Sequence, residues 1–133
     1  MTTAREKVRT ELILDIAAGG ELPITQVDYY VKQQYPSASV LDVQNETLAT
    51  IRSLADDGLI VLGAMSGDEG RWETWDGPLD NSIQKICDVY VTHYDDPPAW
   101  VFFAWMKLTD EGKRVAAHLE AGLSDDHRTR KSP

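Results

Sequence analysis

Three histidines, a single cysteine and a scatter of acidic pairs are the side chains here that could hold a metal, attack a substrate or move a proton. His93, His118 and His127 stand far apart and lack the close spacing of a metal-ligand set. His93 with Asp95 and Asp96 could meet a cation, but a histidine ending a helix is already favoured there by the helix dipole. Cys87 has Lys85 and Asp88 for neighbours and no histidine to take its proton, so it reads as a buried structural thiol and not a nucleophile. Asp56-Asp57, Asp68-Glu69, Asp95-Asp96 and Asp125-Asp126 fall at element ends and loops, where carboxylates cap helices and solvate turns. Gly19-Gly20 and Gly67-Asp-Glu-Gly70 do not join a strand to a following helix as a phosphate cradle must. The expectation is a non-catalytic chain with no metal and no cofactor.

The remaining binding chemistry is aromatic. Eight of the eleven aromatic residues, including all four tryptophans, lie between Trp72 and Trp105. An enlarged core accounts for Tyr90, Tyr94, Trp100, Phe102, Phe103 and Trp105. Trp72 and Trp75 sit beside Asp, Glu and Gly, where one chain cannot easily bury them. Rigid tryptophan and tyrosine side chains cover large areas at interface centres. Trp72 and Trp75, and with them Tyr94 and Trp100 as the alternative to their core role, are the candidate protein-interface residues, with a second copy among the expected partners.

Charge sets the limits on other partners. The chain of 133 residues carries a net charge of −9. Nucleic-acid binders gain affinity by neutralising phosphates, so this protein begins from repulsion. The acidity is concentrated in the middle, at −3 over residues 39–63 and −4 over 64–80, and the basic cluster Arg128, Arg130 and Lys131 is short. Arg5, Glu6, Lys7 and Arg9 precede any apolar run and no window approaches a membrane span, which leads to the expectation of a soluble, cytoplasmic protein.

The elements that must position these residues follow from periodicity and capping. Thr3 and Glu6 form a capping box for a helix with Val8, Leu12, Ile13 and Ile16 inward, ending at Gly19-Gly20. Leu22-Pro23-Ile24 is a minor strand. Thr25 opens a second helix with Val27, Tyr30, Val31 and Tyr35 inward, and Ser39 with Asp42 a third, carried by Val40, Val43, Leu48, Ile51, Leu54 and Ala55. Leu59 to Met65 is a strand covered on both sides. The loop 66–70 and the arm Arg71 to Trp75 form a hairpin. Ile83, Ile86, Cys87, Tyr90 and Tyr94 lie at helical spacing in an insertion, residues 76–98, followed by a strand from Trp100 to Leu108 and a helix released at Gly122. Residues 1–123 make one domain, and residues 124–133 an expected disordered tail.

Two phrases add a resemblance. Leu54-Ala-Asp-Asp-Gly-Leu-Ile60 resembles the junction of recognition helix and sheet in winged-helix transcription regulators, and Leu108-Thr-Asp-Glu-Gly-Lys-Arg-Val115 is similar to the entry to their closing helix. The resemblance covers roughly residues 3–75 and 99–122. It implies an α+β winged helix-turn-helix fold, mostly helical, with an antiparallel sheet of two to three strands and here an inserted helix. In that family the third helix reads the major groove. Carried over, the base-reading positions are Gln44, Asn45, Thr47, Thr50 and Arg52, with Arg71 near the wing. Against them stand Asp42, Glu46, Asp56 and Asp57 on the same helix and Asp68, Glu69 and Glu73 by the loop, near enough to repel phosphates. A protein-binding module is thus expected ahead of a dimeric DNA-binding regulator.

Overall fold

Thr3 opens the first helix as its sequence predicts. Its hydroxyl accepts from the Glu6 N–H at 3.1 Å, and α1 (Ala4–Gly19) turns Val8, Leu12, Ile13 and Ile16 into the core. β1 (Glu21–Pro23) and α2 (Thr25–Gln34) follow, and Ser39 caps α3 (Val40–Asp56) by accepting from the Asp42 N–H at 3.1 Å. The chain continues through β2 (Ile60–Ser66), β3 (Arg71–Thr74), α4 (Leu79–Thr92), the single turn α5 (Pro97–Trp100), β4 (Trp105–Leu108) and α6 (Asp110–Lys131). This computed structural model describes residues 3–66 and 70–131, and their side chains except at 66 and 123–131.

The architecture is α+β, with six helices and an antiparallel sheet among the described residues. The sheet has four strands in the order β1-β4-β2-β3, not the two to three expected. β1 is long enough to pair with β4, setting Leu22 opposite Met106, and the arm after the loop pairs as a full strand, with Met65 opposite Trp72. β2 and β4 form the centre, with Ile60 opposite Leu108 and Gly63 opposite Trp105. Strand side chains alternate between faces. Ile60, Leu62, Met106 and Leu108 accordingly share the face that α1, α3 and α6 cover, and all four are buried.

Several local expectations are corrected. No strand begins at Trp100. Pro97 and Pro98 suit a first helical turn, where an N–H is not needed, and that turn carries Trp100 inward. Tyr35 and Val40 are exposed, at 37% and 55%, because they occupy the corner between α2 and α3, beyond the reach of the core. α6 is bounded at Lys131 and not at Gly122. The expected disordered tail falls on positions whose side chains, and at 132 and 133 whose backbone, lie outside the described residues, as do Gly67, Asp68 and Glu69 of the loop.

The Leu108-Thr-x-x-Gly phrase has a physical reason. Thr109 donates its hydroxyl to the Gly58 carbonyl at 2.5 Å and accepts from the Gly112 N–H at 3.0 Å, strapping the start of α6 to the end of α3. A Cβ on Gly112 would stand 2.1 Å from the Leu59 carbonyl oxygen, so only glycine permits this approach.

Candidate functional site

The face of α3 expected to be free is largely occupied. Gln44, Thr47 and Thr50 are 5%, 1% and 0% exposed, whereas Asn45 is exposed. Thr50 donates its hydroxyl to the Glu46 carbonyl at 2.8 Å, on the flank that faces α1. There Arg5 grips the Glu46 carboxylate through two bonds of 2.8 Å, and Arg9 meets Ser53 and Asp57. The Arg5 hydrogen bond holds the Glu46 pKa below its ordinary value, against the opposing effect of partial burial.

The other flank of α3 belongs to α4. Arg52, half-exposed, pairs with Asp80 at 2.6 Å near the start of α4, while Thr47 lies beside Tyr90 near its end, so the two helices run antiparallel. Periodicity in α3 does not reveal this cover, because the covering residues Ile83, Ile86 and Tyr90 come from another segment. The insertion 76–98 brings Asp76, Asp80, Asp88, Asp95 and Asp96 against the single cation Lys85. A phosphate backbone approaching α3 from this side would meet that acidic surface first.

A buried carboxylate seats the insertion. Asp28 of α2, 4% exposed, accepts from Tyr90 Oη at 2.5 Å and Tyr94 Oη at 3.2 Å, and pairs with Lys32 Nζ at 2.8 Å. Burial, and then the bond to Asp28, raise the Tyr90 pKa far above the ordinary phenol value. Partial desolvation pulls the Lys32 pKa down, but the bonds to Asp28 and Tyr94 outweigh it and leave the pKa raised. Trp100 completes the cluster, its ring 4.7 Å from Tyr90 and 5.4 Å from Tyr94, and donates its indole N–H to the Tyr94 carbonyl at 3.0 Å. Of the expected interface residues, Trp100 is therefore internal at 5% exposure and Tyr94 is half-buried, because the insertion needs its own apolar anchor. Asp28 stands in the first turn of α2, an ordinary place for a carboxylate; its burial beside Tyr90 and Tyr94 has no sequence signal.

Trp72 and Trp75 part company across β3. Trp75 points toward the insertion, against Phe103 at 5.5 Å and beneath Lys85 Nζ at 5.0 Å. Trp72 lies on the outer face of the sheet. Its ring extends over Gly63, with Lys107 Nζ 5.6 Å from its centroid and its indole N–H donated to Thr74 Oγ1 at 2.7 Å. A Cβ on Gly63 would meet the ring at 2.7 Å and the Glu73 carbonyl oxygen at 2.4 Å. Trp105 shares this outer face and stacks at 5.8 Å on Phe102, which is 65% exposed. Among the described residues, β2 is thus covered on its outer side by aromatic side chains of the sheet itself and not by a second layer. Trp105 and Phe102 were missed as surface residues, though the alternation of Trp105 and Lys107 with buried Met106 and Leu108 carries the signal. Arg71, Glu73 and Thr74 are exposed along β3.

An open groove of about 480 Å³ runs between α2 and α3, lined by Arg5, Val31, Tyr35, Val43, Asn45 and Glu46. Of its three charged groups, Arg5 and Glu46 are bound to each other and Asp42 is exposed at the start of α3. Among the described residues no group of three or more His, Cys, Asp or Glu is placed to hold a metal ion, and no helix is long and apolar enough to cross a membrane. Comparison of the chain with protein-family models, with curated proteins and with solved structures gives no match.

Proposed function

We propose that this chain is a non-catalytic winged-helix-like module that acts by binding protein, in a regulatory or nucleic-acid-associated setting. The observation that carries this reading is the packing of α4 along α3, which accompanies the burial of Gln44 and Thr47 and ties Arg52 to Asp80. The order helix, short strand, helix, helix, strand, wing, strand, helix supports the winged-helix likeness once α4, with the segment 76–98 that carries it, is read as an insertion after the wing arm β3. The outer sheet face, with half-buried Trp72 and Trp105 and the exposed Phe102 of the neighbouring turn, supports protein contact, since partly exposed aromatics held on a rigid sheet are good anchors.

A duplex titration tests the choice. With labelled duplexes at low salt, including the chain's own upstream region, no binding tighter than tens of micromolar is expected. Submicromolar binding that Arg52→Ala or Asn45→Ala weakens would overturn the reading in favour of a DNA-binding regulator. Protein association is expected to weaken in Trp72→Ala and with rising salt.

A further inference from the structure

The groove between α2 and α3 is open because two of its lining residues are small. Val31 and Val43, both buried, form its floor, and the alanine side chains at Ala38 and Ala49 leave the space beside them unfilled. Its α3 wall is the stripe Asp42, Asn45, Glu46 and Ala49, spaced as one helix face and about two turns long. On the α2 side Tyr35 is 37% exposed, and Leu41, 62% exposed, stands one turn before Asn45 at the rim. Apolar side chains grouped about a concave surface and rimmed by polar ones mark a place of contact.

Charge and hydrogen bonding define what fits. Arg5 holds both oxygens of the Glu46 carboxylate, so that pair is matched within the chain. The Asp42 carboxylate makes no hydrogen bond or ion pair among the described residues; only its main-chain N–H is engaged, by Ser39. The groove therefore carries an uncompensated negative charge at the N-terminal end of α3, in a chain whose net charge is −9. Its walls are helix flanks, which present side chains and no row of main-chain donors and acceptors such as a strand edge offers to an extended peptide. A helix arrives with its own main-chain bonds made and can bury side chains there without leaving N–H or C=O groups unpaired.

We infer that this groove receives a basic amphipathic helix of a partner protein, with its apolar side chains over Val31 and Val43, between Ala38 and Ala49, and a lysine or arginine beside Asp42. The site is separate from the outer sheet face; it extends the protein-binding reading to a second surface and does not need Trp72. Apolar anchors at i, i+3 or i+4 and i+7 match the two-turn length of the α3 wall. The negative net charge speeds the approach of a basic helix, and the apolar floor slows its departure. An acidic helix would set like charge against Asp42.

Synthetic helices about three turns long, with leucine or phenylalanine anchors and either lysine or glutamate flanks, test it when titrated into the full chain and followed by amide NMR shifts and fluorescence anisotropy. The lysine-flanked helices are expected to bind with a dissociation constant on the order of tens to hundreds of micromolar and to shift the amides of Val31, Ala38, Asn45 and Ala49. Ala49→Leu fills the groove with a residue that suits a helix, and is expected to weaken binding about tenfold with the circular dichroism unchanged. Asp42→Lys is expected to weaken the lysine-flanked helices about fivefold and to strengthen the glutamate-flanked ones. Trp72→Ala is expected to leave this binding intact. No binding by either set up to millimolar peptide, shifts centred on Phe102 and Trp105 instead, equal affinity for both flanks, indifference to Ala49→Leu and Asp42→Lys, or loss of binding in Trp72→Ala would each overturn the groove as the site. None of these outcomes decides the protein-binding reading, which stands or falls with duplex binding; tight duplex binding overturns that reading and leaves the groove to be judged by the helices.

Discussion

Tyr90→Phe removes one oxygen from the interior and tests whether Asp28 holds the insertion against α2 and α3. Tyr90 is fully buried, and its ring contacts with Tyr94 and Trp100 survive the change, so the loss falls on its hydroxyl, chiefly the bond of 2.5 Å to Asp28 and secondarily the contact with Thr47. A hydrogen bond to a charged group contributes about 1.5–3 kcal/mol, and burial places this one toward the upper half. Tyr94→Phe loses a longer bond of 3.2 Å to Asp28 and a contact with Lys32, both from a half-buried side chain, and is expected to cost about 0.5–1 kcal/mol. In urea unfolding, Tyr90→Phe should lower the midpoint by roughly 1 M. A double-mutant cycle with Asp28→Asn should return most of the Tyr90 effect as coupling. Equal costs at the two tyrosines, or a Tyr90→Phe effect under about 0.5 kcal/mol with no coupling, would refute the assignment of Asp28 as the anchor.

The raised Tyr90 pKa also makes stability fall in alkali. Above about pH 10 the unfolded chain releases the phenol proton that Tyr90 retains, so the unfolded state binds fewer protons and unfolding is favoured as pH rises. Unfolding free energies from urea titrations across that range should decline by up to about 1.4 kcal/mol per pH unit for this group, a component absent from Tyr90→Phe. Glu46 acts in the opposite direction: its lowered pKa gives stability that is lost as acid protonates the carboxylate, and Arg5→Ala should flatten acid unfolding by well under 1 kcal/mol, since the pair is partly solvated. Gly63→Ala should cost about 1–3 kcal/mol and change the near-ultraviolet dichroism of Trp72, because the new methyl meets both the ring and the Glu73 carbonyl. Gly112→Ala should destabilise at least as much, since its backbone obstacle, the Leu59 carbonyl oxygen, stands closer, at 2.1 Å against 2.4 Å for the Glu73 carbonyl at Gly63.

What the sequence determined by itself was local. Thr3 and Ser39 name their helix starts because capping is settled within four residues, and the apolar stripe of α1 names its buried face because helical spacing repeats. Acidity in the middle of the chain is likewise a property of composition, whatever the fold. Tertiary structure decided which polar residues were free. Gln44, Thr47 and Thr50 have the chemistry of a reading face, and Asp28 that of a helix start, until α1 and α4 pack against α3 and Tyr90 and Tyr94 close over the carboxylate. The same holds for the tryptophans, whose concentration is evident in the chain. Strand pairing alone sends Trp72 outward over Gly63 and Trp75 toward α4, since neighbours on a strand face opposite sides and only the partner strands fix which side is the core.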